Sequence, residues 1–200
     1  KNNEEVTLSI GSHLEGLGLI QGFVRKDLNG NCTSDSSDNA LGGWIINVKD
    51  KSGISYKMKT NNNGFYKGLF SEFFEPYKVS VEPQNTSWTA CQPEFEVHVV
   101  EEDTSQVDFV VKSNQDCIEL HSEISATRLR RCFVSDFYVN VRNEGTIQAK
   151  ECYVDVELAK EFELISSAST SFKVLRPDLY RFQLGDLNIS QDTNIFFQSK

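Results

Sequence analysis

Hydrophobic and polar residues alternate in short runs along most of the chain. Within residues 77–82, for example, Tyr77, Val79 and Val81 alternate with charged or hydroxyl side chains. Because successive side chains of a β-strand point to opposite faces, this period of two predicts strands that are buried on one side. The pattern predicts seven strands in the first half of the chain, at residues 20–26, 44–49, 54–60, 65–70, 77–82, 95–100 and 106–111.

A second group of strands follows a short polar break at residues 113–116. The same alternation predicts strands at residues 118–125, 133–142, 151–158, 162–166, 180–184 and 194–197. Phe133, Phe137, Val139 and Val141 share one face in this pattern, and no long segment has the period of a helix. Repeated short strands separated by turns are typical of β-sandwiches. The sequence therefore predicts an all-β fold made of two tandem β-sandwich modules, immunoglobulin-like or prealbumin-like.

The module boundaries follow from these patterns. We place the first module at residues 20–112 and the second at 117–200, with residues 1–19 as a leader or the end of a preceding module. The strand predicted at 194–197 starts close to Lys200, and a domain rarely ends on an exposed strand edge. We therefore expect the second module to be truncated at its C-terminus.

Composition and charge exclude several classes of function. The net charge is −9, whereas binding to nucleic acid needs clustered Lys and Arg. No apolar run approaches the ~20 residues of a membrane-spanning helix. The first residues do not have the pattern of a signal peptide, so we expect a mature or excised fragment. The chain contains none of the GxSxG, HExxH or phosphate-binding loop motifs in the required context, so we expect no enzymatic activity.

The most specific chemical pattern is the segment between the first two strands, which we call the 27–38 loop. It offers oxygen ligands at offsets 1, 3, 5, 7, 9 and 12, the spacing with which calcium is held in twelve-residue loops. The candidate ligands are Asp27, Asn29, Asn31, Thr33 through its backbone carbonyl, Asp35 and Asp38. We predict a weak Ca²⁺ site with a dissociation constant of roughly 10⁻⁴ to 10⁻³ M. The alternative is an acidic loop held only by Asx-turns.

Five cysteines bear on the cellular compartment. In an oxidising compartment they would form two disulfides and leave one thiol. A Cys32–Cys91 bridge would tie two loops around the metal site. The second pairing hypothesis is Cys117–Cys152. Successive strands run in opposite directions, so Cys132 and Cys152, which begin consecutive strands, should lie at opposite ends of the module. Cys117 begins the strand before that of Cys132 and should lie near Cys152, which leaves Cys132 for a partner beyond Lys200. The alternative is a cytosolic protein with five reduced cysteines.

Several of these segments resemble a known family. GFVRKDLNGN at 22–31, LGGWIINV at 41–48, TNNNGFY at 60–66 and PYKV at 76–79 resemble the B-type repeat of the serine-aspartate-repeat surface adhesins, in the Cna-B and carboxypeptidase-regulatory-like group of sandwich folds. The resemblance implies that the 27–38 loop binds calcium and stiffens a rod-like stalk. It departs at Asn61, where the family usually has Asp.

The second module is similar to another group of surface proteins. LRRCF at 129–133, NEGT at 143–146 and LGDL at 184–187 resemble the immunoglobulin-like modules of large secreted and surface proteins of the Bacteroidetes. This resemblance implies a fold and an extracellular location, and no chemistry.

The sequence as a whole predicts a structural or adhesive segment of a secreted or cell-surface bacterial protein, stiffened by calcium. Its expected partners are neighbouring modules, with a host or cell-surface protein or a glycan as the object gripped. The alternative function is a carbohydrate-binding module, because exposed aromatic rings can stack on sugars. The candidate ligand-facing aromatics are Phe70, Phe73, Phe74, Tyr77 and Trp88.

Overall fold

The computed structural model describes residues 16–130, 132–168 and 172–200. Their regular structure is seventeen strands and one short 3-10 helix at Glu72–Phe74, which confirms the predicted all-β fold. The strands are β1 Leu17–Lys26, β2 Asn39–Ala40, β3 Ile45–Lys49, β4 Ser55–Lys59, β5 Phe65–Ser71, β6 Tyr77–Glu82, β7 Trp88–Ala90, β8 Glu94–Val97, β9 Thr104–Gln106, β10 Phe109–Ser113, β11 Leu120–Ala126, β12 Ser135–Asn143, β13 Ala149–Glu157, β14 Leu164–Ser167, β15 Phe172–Arg176, β16 Leu179–Leu187 and β17 Asp192–Ser199.

Strands β1 to β10 form the first sandwich. The first half of β1 pairs with β5 antiparallel and β9 parallel, and its second half pairs with β2 antiparallel and β10 parallel. Strand β7 extends this sheet beyond β10, and the facing sheet has the antiparallel order β4-β3-β6-β8. The pairing of β1 with β10 brings the ends of the sandwich's sequence together, so the 27–38 loop lies beside the last strand of its own module.

The core of the first sandwich collects the apolar face of each strand. Ile46 and Val48 of β3 and Val79 of β6 are fully buried, as the period-two pattern predicts. Two tryptophans meet at the end of this core: Trp44 lies edge-on to Trp88, with ring centroids 5.3 Å apart. Large aromatic rings in such a contact add packing energy to the area they bury.

Strands β11 to β17 form the second sandwich. One sheet has the order β11-β12-β17-β14 and the other the order β13-β16-β15. Phe137 of β12 stacks on Phe197 of β17 at 5.0 Å between ring centroids, and Phe182 of β16 packs against Phe197 from the other sheet. These rings join the two sheets into one core, which also contains Val139, Val141 and Cys152.

Three of the expectations about strand positions are corrected. Residues 1–15 lie outside the described residues, but Leu17, Gly18 and Leu19, assigned to a leader, are the first residues of β1 and pair with β5. A Cβ at Gly18 would collide with the Val100 carbonyl, so this glycine marks a close approach of two backbones rather than a break.

The other two corrections concern the second sandwich. Phe133 does not share the buried face of β12: it precedes the strand, its N–H bonds to the Arg130 carbonyl, and its side chain is 62 % exposed. The strand predicted at 194–197 is not an exposed edge either. It is part of β17, which lies between β12 and β14, and this pairing joins strands far apart in sequence.

Candidate metal site

The 27–38 loop connects two paired strands. Strand β2 returns antiparallel to the end of β1, with Arg25 opposite Ala40 and Lys26 opposite Asn39. Both ends of the loop are therefore fixed by the sheet. Its polar residues bond to the loop's own backbone, since Asp and Asn side chains bond readily to nearby N–H groups.

Asp27 has a fully buried side chain. Its Oδ1 accepts the N–H of Gly30 at 2.6 Å and its Oδ2 accepts the N–H of Cys32 at 2.9 Å. Lys112 of β10 places its Nζ 3.5 Å from Asp27 Oδ2. Burial raises the pKa of Asp27, but these N–H groups and the lysine outweigh it and hold the pKa below its ordinary value. Asp27 is therefore a carboxylate at neutral pH.

Asp38 and Asp35 close the loop from its other end. Asp38 is buried; its Oδ1 accepts the N–H of Leu28 at 3.1 Å, and its Oδ2 accepts the N–H of Asp35 at 3.3 Å. Asp35 Oδ1 accepts both the hydroxyl and the N–H of Ser37, at 2.5 and 2.8 Å. These bonds lower the pKa of Asp35 to about 2. The loop thus holds carboxylates in fixed orientations.

The two asparagines converge on Asp35. The Nδ2 of Asn29 donates to Asp35 Oδ2 at 3.0 Å, and the Nδ2 of Asn31 donates to the same oxygen at 3.3 Å. The Oδ1 of Asn31 accepts the N–H of Thr33 at 2.7 Å. An amide that donates its nitrogen here would have to rotate to offer its oxygen to a cation.

The donor set of the loop fits a hard cation such as Ca²⁺. A carboxylate oxygen that accepts one N–H still has a lone pair for a metal, and calcium prefers oxygen ligands. Among the described residues, the one group of three metal-ligating side chains within 4.8 Å is Asp27 with Cys32 and Cys91, and its two sulfurs are joined to each other. The carboxylates of Asp27, Asp35 and Asp38 therefore do not converge within that distance. Ion binding requires the amides of Asn29 and Asn31, which now donate to Asp35, to rotate so that their oxygens face the ion.

The lowered pKa of Asp35 predicts how the loop responds to acid. A carboxylate whose pKa falls on folding stabilises the fold above its unfolded pKa of about 3.9, and this stabilisation is lost as pH drops toward the folded value. We expect wild type to exceed Asp35→Asn in stability above pH 4, with the difference narrowing toward pH 2. Urea midpoints of both proteins at pH 7, 4 and 2.5 measure it, and a constant difference would contradict the assignment.

The disulfide predicted between Cys32 and Cys91 is confirmed. It joins the middle of the 27–38 loop to the residue that follows β7, across 59 residues of sequence. The Cys91 N–H bonds to the Val110 carbonyl of β10 at 2.9 Å, so the anchor of the bridge is held by the sheet. The loop is consequently fixed at both ends and in its middle.

The predicted Cys117–Cys152 bridge is wrong. Both thiols are free, and so is that of Cys132. The prediction assumed that successive strands are neighbours, but β13, which carries Cys152, pairs with β16 in the sheet opposite β12. Cys152 is buried in the core. Cys117 precedes β11, donates its N–H to Thr146 Oγ1 and accepts the Thr146 N–H at its carbonyl.

The candidate sugar-binding aromatics do not form one surface. Phe70, Tyr77 and Trp88 are buried, with exposed fractions of 8, 2 and 3 %. Phe73 and Phe74 are exposed on the short 3-10 helix, at the end of the sandwich away from Trp88. The sequence pattern could not show that Trp88 lies in the core against Trp44, because the two residues are far apart in the chain.

The surroundings of the loop include a junction that the sequence did not predict. Lys26, which precedes the loop, donates from Nζ to the Thr146 carbonyl of the second sandwich at 2.9 Å. Arg142 of β12 is buried and donates to the Gly42 carbonyl. A Cβ at Gly43 would overlap the Arg142 guanidinium, so a glycine is needed there. These contacts hold the chain on both sides of the loop against the second sandwich.

The two tryptophans complete the junction. Trp44 Nε1 donates to Ser190 Oγ at 3.3 Å, and Trp88 Nε1 donates to the Glu144 carbonyl at 3.2 Å. The neighbouring Ile189 of the second sandwich packs against the core of the first. A buried indole usually finds a partner for its N–H, and here both partners belong to the other module.

Comparison with known proteins gives only a fold likeness. No family model matches the chain, and no curated protein matches it. Similar solved structures include the minor pilin GBS52 of Streptococcus agalactiae (12% identity, TM-score 0.40, 50% of this chain and 46% of that one) and the major pilin SpaD of Corynebacterium diphtheriae (10% identity, TM-score 0.37, 95% and 57%). A DUF3823 family protein from Parabacteroides merdae is 13% identical, with a TM-score of 0.36 over 90% of this chain and 79% of that one. The chain thus spans about half the length of the two pilins, and TM-scores this low carry no argument about its function.

Proposed function

We propose that this chain is a structural segment of a secreted or cell-surface protein, in which calcium bound by the 27–38 loop stiffens the junction between two sandwiches. The observation that carries the proposal is that the loop is fastened to the junction on both sides and through its disulfide. The disulfide also supports a location outside the cytoplasm, because such bonds persist in oxidising compartments. No helix in the described parts of the chain is long and apolar enough to span a membrane.

The route from the loop to the junction is short. On one side Lys26 adjoins Asp27 and bonds to Thr146 of the second sandwich. On the other side, four residues after Asp38, the Gly42 carbonyl accepts a bond from Arg142. Through the Cys32–Cys91 bridge the loop is also joined to β7, whose Trp88 bonds to Glu144. An ion that orders the loop therefore also orders Lys26, Gly42 and Trp88, the three residues through which the first sandwich is attached to the second.

The ion would be held by this chain's own oxygens. Asp27, Asp35 and Asp38 supply negative charge, and Asn29, Asn31 and the Thr33 carbonyl supply neutral ligands. Calcium would neutralise carboxylates that otherwise repel one another in a small loop, and its coordination would limit the loop to one conformation. The partners that fit this role are neighbouring modules of the same or a larger surface protein. That larger protein would in turn bind a host or cell-surface protein or a glycan. No observation favours the carbohydrate-binding alternative at the Phe70–Trp88 cluster, since three of its five rings are buried.

Thermal unfolding with and without calcium tests the proposal. A ligand that binds only the folded state stabilises it by mass action, so 10 mM calcium at the predicted affinity contributes about 1.4–2.7 kcal/mol. For a protein of this size we expect Tm to rise by about 3–10 °C relative to chelator. The variants Asp27→Ala and Asp35→Ala should lose the rise, whereas the control Asp116→Ala, an exposed acid outside the loop, should keep it. An unchanged wild-type Tm would refute calcium binding.

Hydrogen exchange separates binding from stiffening. If calcium stiffens the junction, amides in peptides covering residues 39–44 and 142–147 should exchange more slowly when it is added. A peptide covering residues 69–75, at the opposite end of the first sandwich, serves as the internal control. Calcium that protects the 27–38 loop but leaves residues 142–147 unchanged would show a bound ion without the proposed stiffening.

A further inference from the structure

The end of the first sandwich that faces away from the junction, which we call the N-pole, exposes apolar side chains. Strand β1 runs from Leu17 at this end to Lys26 at the junction, about 33 Å away for ten residues. Four large apolar side chains surround its start, and between 46 and 66 % of each is exposed: Leu69, Phe73, Phe74 and Val100. Both phenylalanines belong to the short 3-10 helix, in which no residue is buried.

Acidic side chains surround this apolar group. The N-pole carries five carboxylates in the two connections that follow β5 and β8: Glu72, Glu75, Glu101, Glu102 and Asp103. Glu101 lies at the start of β1, because its Oε1 accepts the Gly16 N–H at 2.8 Å. Lys51 is a cation at the same end, where its N–H bonds to the Phe74 carbonyl. The N-pole is therefore apolar at its centre and strongly acidic around it.

The far end of the second sandwich, which we call the C-pole, has the opposite charge. Strand β12 runs from Ser135 at this end to Asn143 at the junction. A cleft here is lined by apolar residues, among them Leu129 and Phe133, which are 53 and 62 % exposed, and the half-buried Phe162. Its exposed cations are Arg128, Arg130, Lys160 and Lys200, beside the acids Glu161 and Glu163.

We propose that the C-pole of one copy of this chain receives the N-pole of a second copy. Phe73 and Phe74 would enter the cleft beside Leu129 and Phe133, while the acidic ring meets the C-pole cations. Opposite charge around matched apolar centres selects this pairing, since two N-poles would repel each other. Because the two surfaces differ and lie at opposite ends of the unit, the contact is heterologous and adds copies in line.

Sedimentation velocity across a range of concentrations tests the proposal. The experiment uses Cys132→Ser as background, since Cys132 lines the cleft and an intermolecular disulfide could imitate association. Chelator is present throughout, so the result does not depend on calcium. At 50 mM salt we expect the sedimentation coefficient to rise with protein concentration. At 500 mM salt the coefficient should be lower at the same protein concentration, because salt screens the attraction between the charged poles. A monomer at every concentration would overturn the proposal.

Charge reversal identifies the surfaces. Glu72→Lys with Glu102→Lys cancels the excess negative charge of the N-pole, and Arg128→Glu with Arg130→Glu makes the C-pole acidic; each protein alone should remain monomeric. Mixed together, they should associate again, because the unchanged N-pole of one variant meets the unchanged C-pole of the other. Phe73→Ser with Phe74→Ser should also abolish association, whereas the control Ile124→Ser, an equally exposed apolar residue on β11, should not. Association that survives both reversals, or is lost equally in the control, would refute these surfaces.

Discussion

Replacing Trp44 with alanine is expected to lower the free energy of unfolding by about 3–5 kcal/mol, the range for deleting a large buried aromatic. Trp44 is completely buried, lies edge-on to Trp88 and donates its indole N–H to Ser190 of the second sandwich. The substitution leaves a cavity in the first core and removes one attachment of the junction. Urea denaturation of wild type and variant measures the loss.

Two further variants separate packing from the junction bond. Trp44→Phe keeps an aromatic ring in the core but removes the N–H, so we expect a smaller loss and faster hydrogen exchange around Ser190. Tyr153→Ala removes a half-exposed ring of β13 that lies against the Arg181 guanidinium, and should lower stability by only about 0.5–1 kcal/mol. A Trp44→Ala loss as small as that of Tyr153→Ala would contradict the central position given to this residue.

Removing the disulfide is the second change with a large expected effect. Cys32→Ser with Cys91→Ser should lower the free energy of unfolding by about 2–4 kcal/mol, because the bridge closes a long loop in the unfolded chain. The variant should also release the middle of the 27–38 loop, so its gain of Tm in calcium should shrink. Chemical denaturation with and without calcium measures both effects.

The matched control is Cys132→Ser, which removes an exposed free thiol. It should unfold at the same urea concentration as wild type. If the double variant kept both its stability and its full response to calcium, the bridge would have no part in ordering the loop. The calcium proposal would then rest on the contacts of the Lys26 side chain and the Gly42 carbonyl alone.

Local pattern was enough to predict the strands and the loop. The alternation at residues 77–82 predicted β6 because one sheet face is buried, and that constraint acts on neighbouring residues. The strands β2, β7 and β9 escaped prediction because two or three residues carry too little alternation. Strand β15 escaped because all five of its residues are exposed, so it has no buried face to mark. The spacing of Asp and Asn in the 27–38 loop similarly marked the candidate ligands, because a tight loop is set by its own residues.

Contacts between distant segments were decided only by the tertiary structure. Lys112 reaches Asp27 because β10 pairs parallel with β1. The predicted Cys117–Cys152 pairing was wrong because it assumed that successive strands are neighbours, whereas β13 lies in the other sheet. The buried Arg142 on Gly42, and the N–H groups of Trp44 and Trp88 turned to the second sandwich, likewise have no local signal. The sequence by itself determined the strand pattern and the acidic loop, because both depend on residues a few positions apart. Which strands pair, whether Cys117 and Cys152 meet and where the two sandwiches touch depend on packing among residues up to 146 positions apart, so only the folded chain decides them.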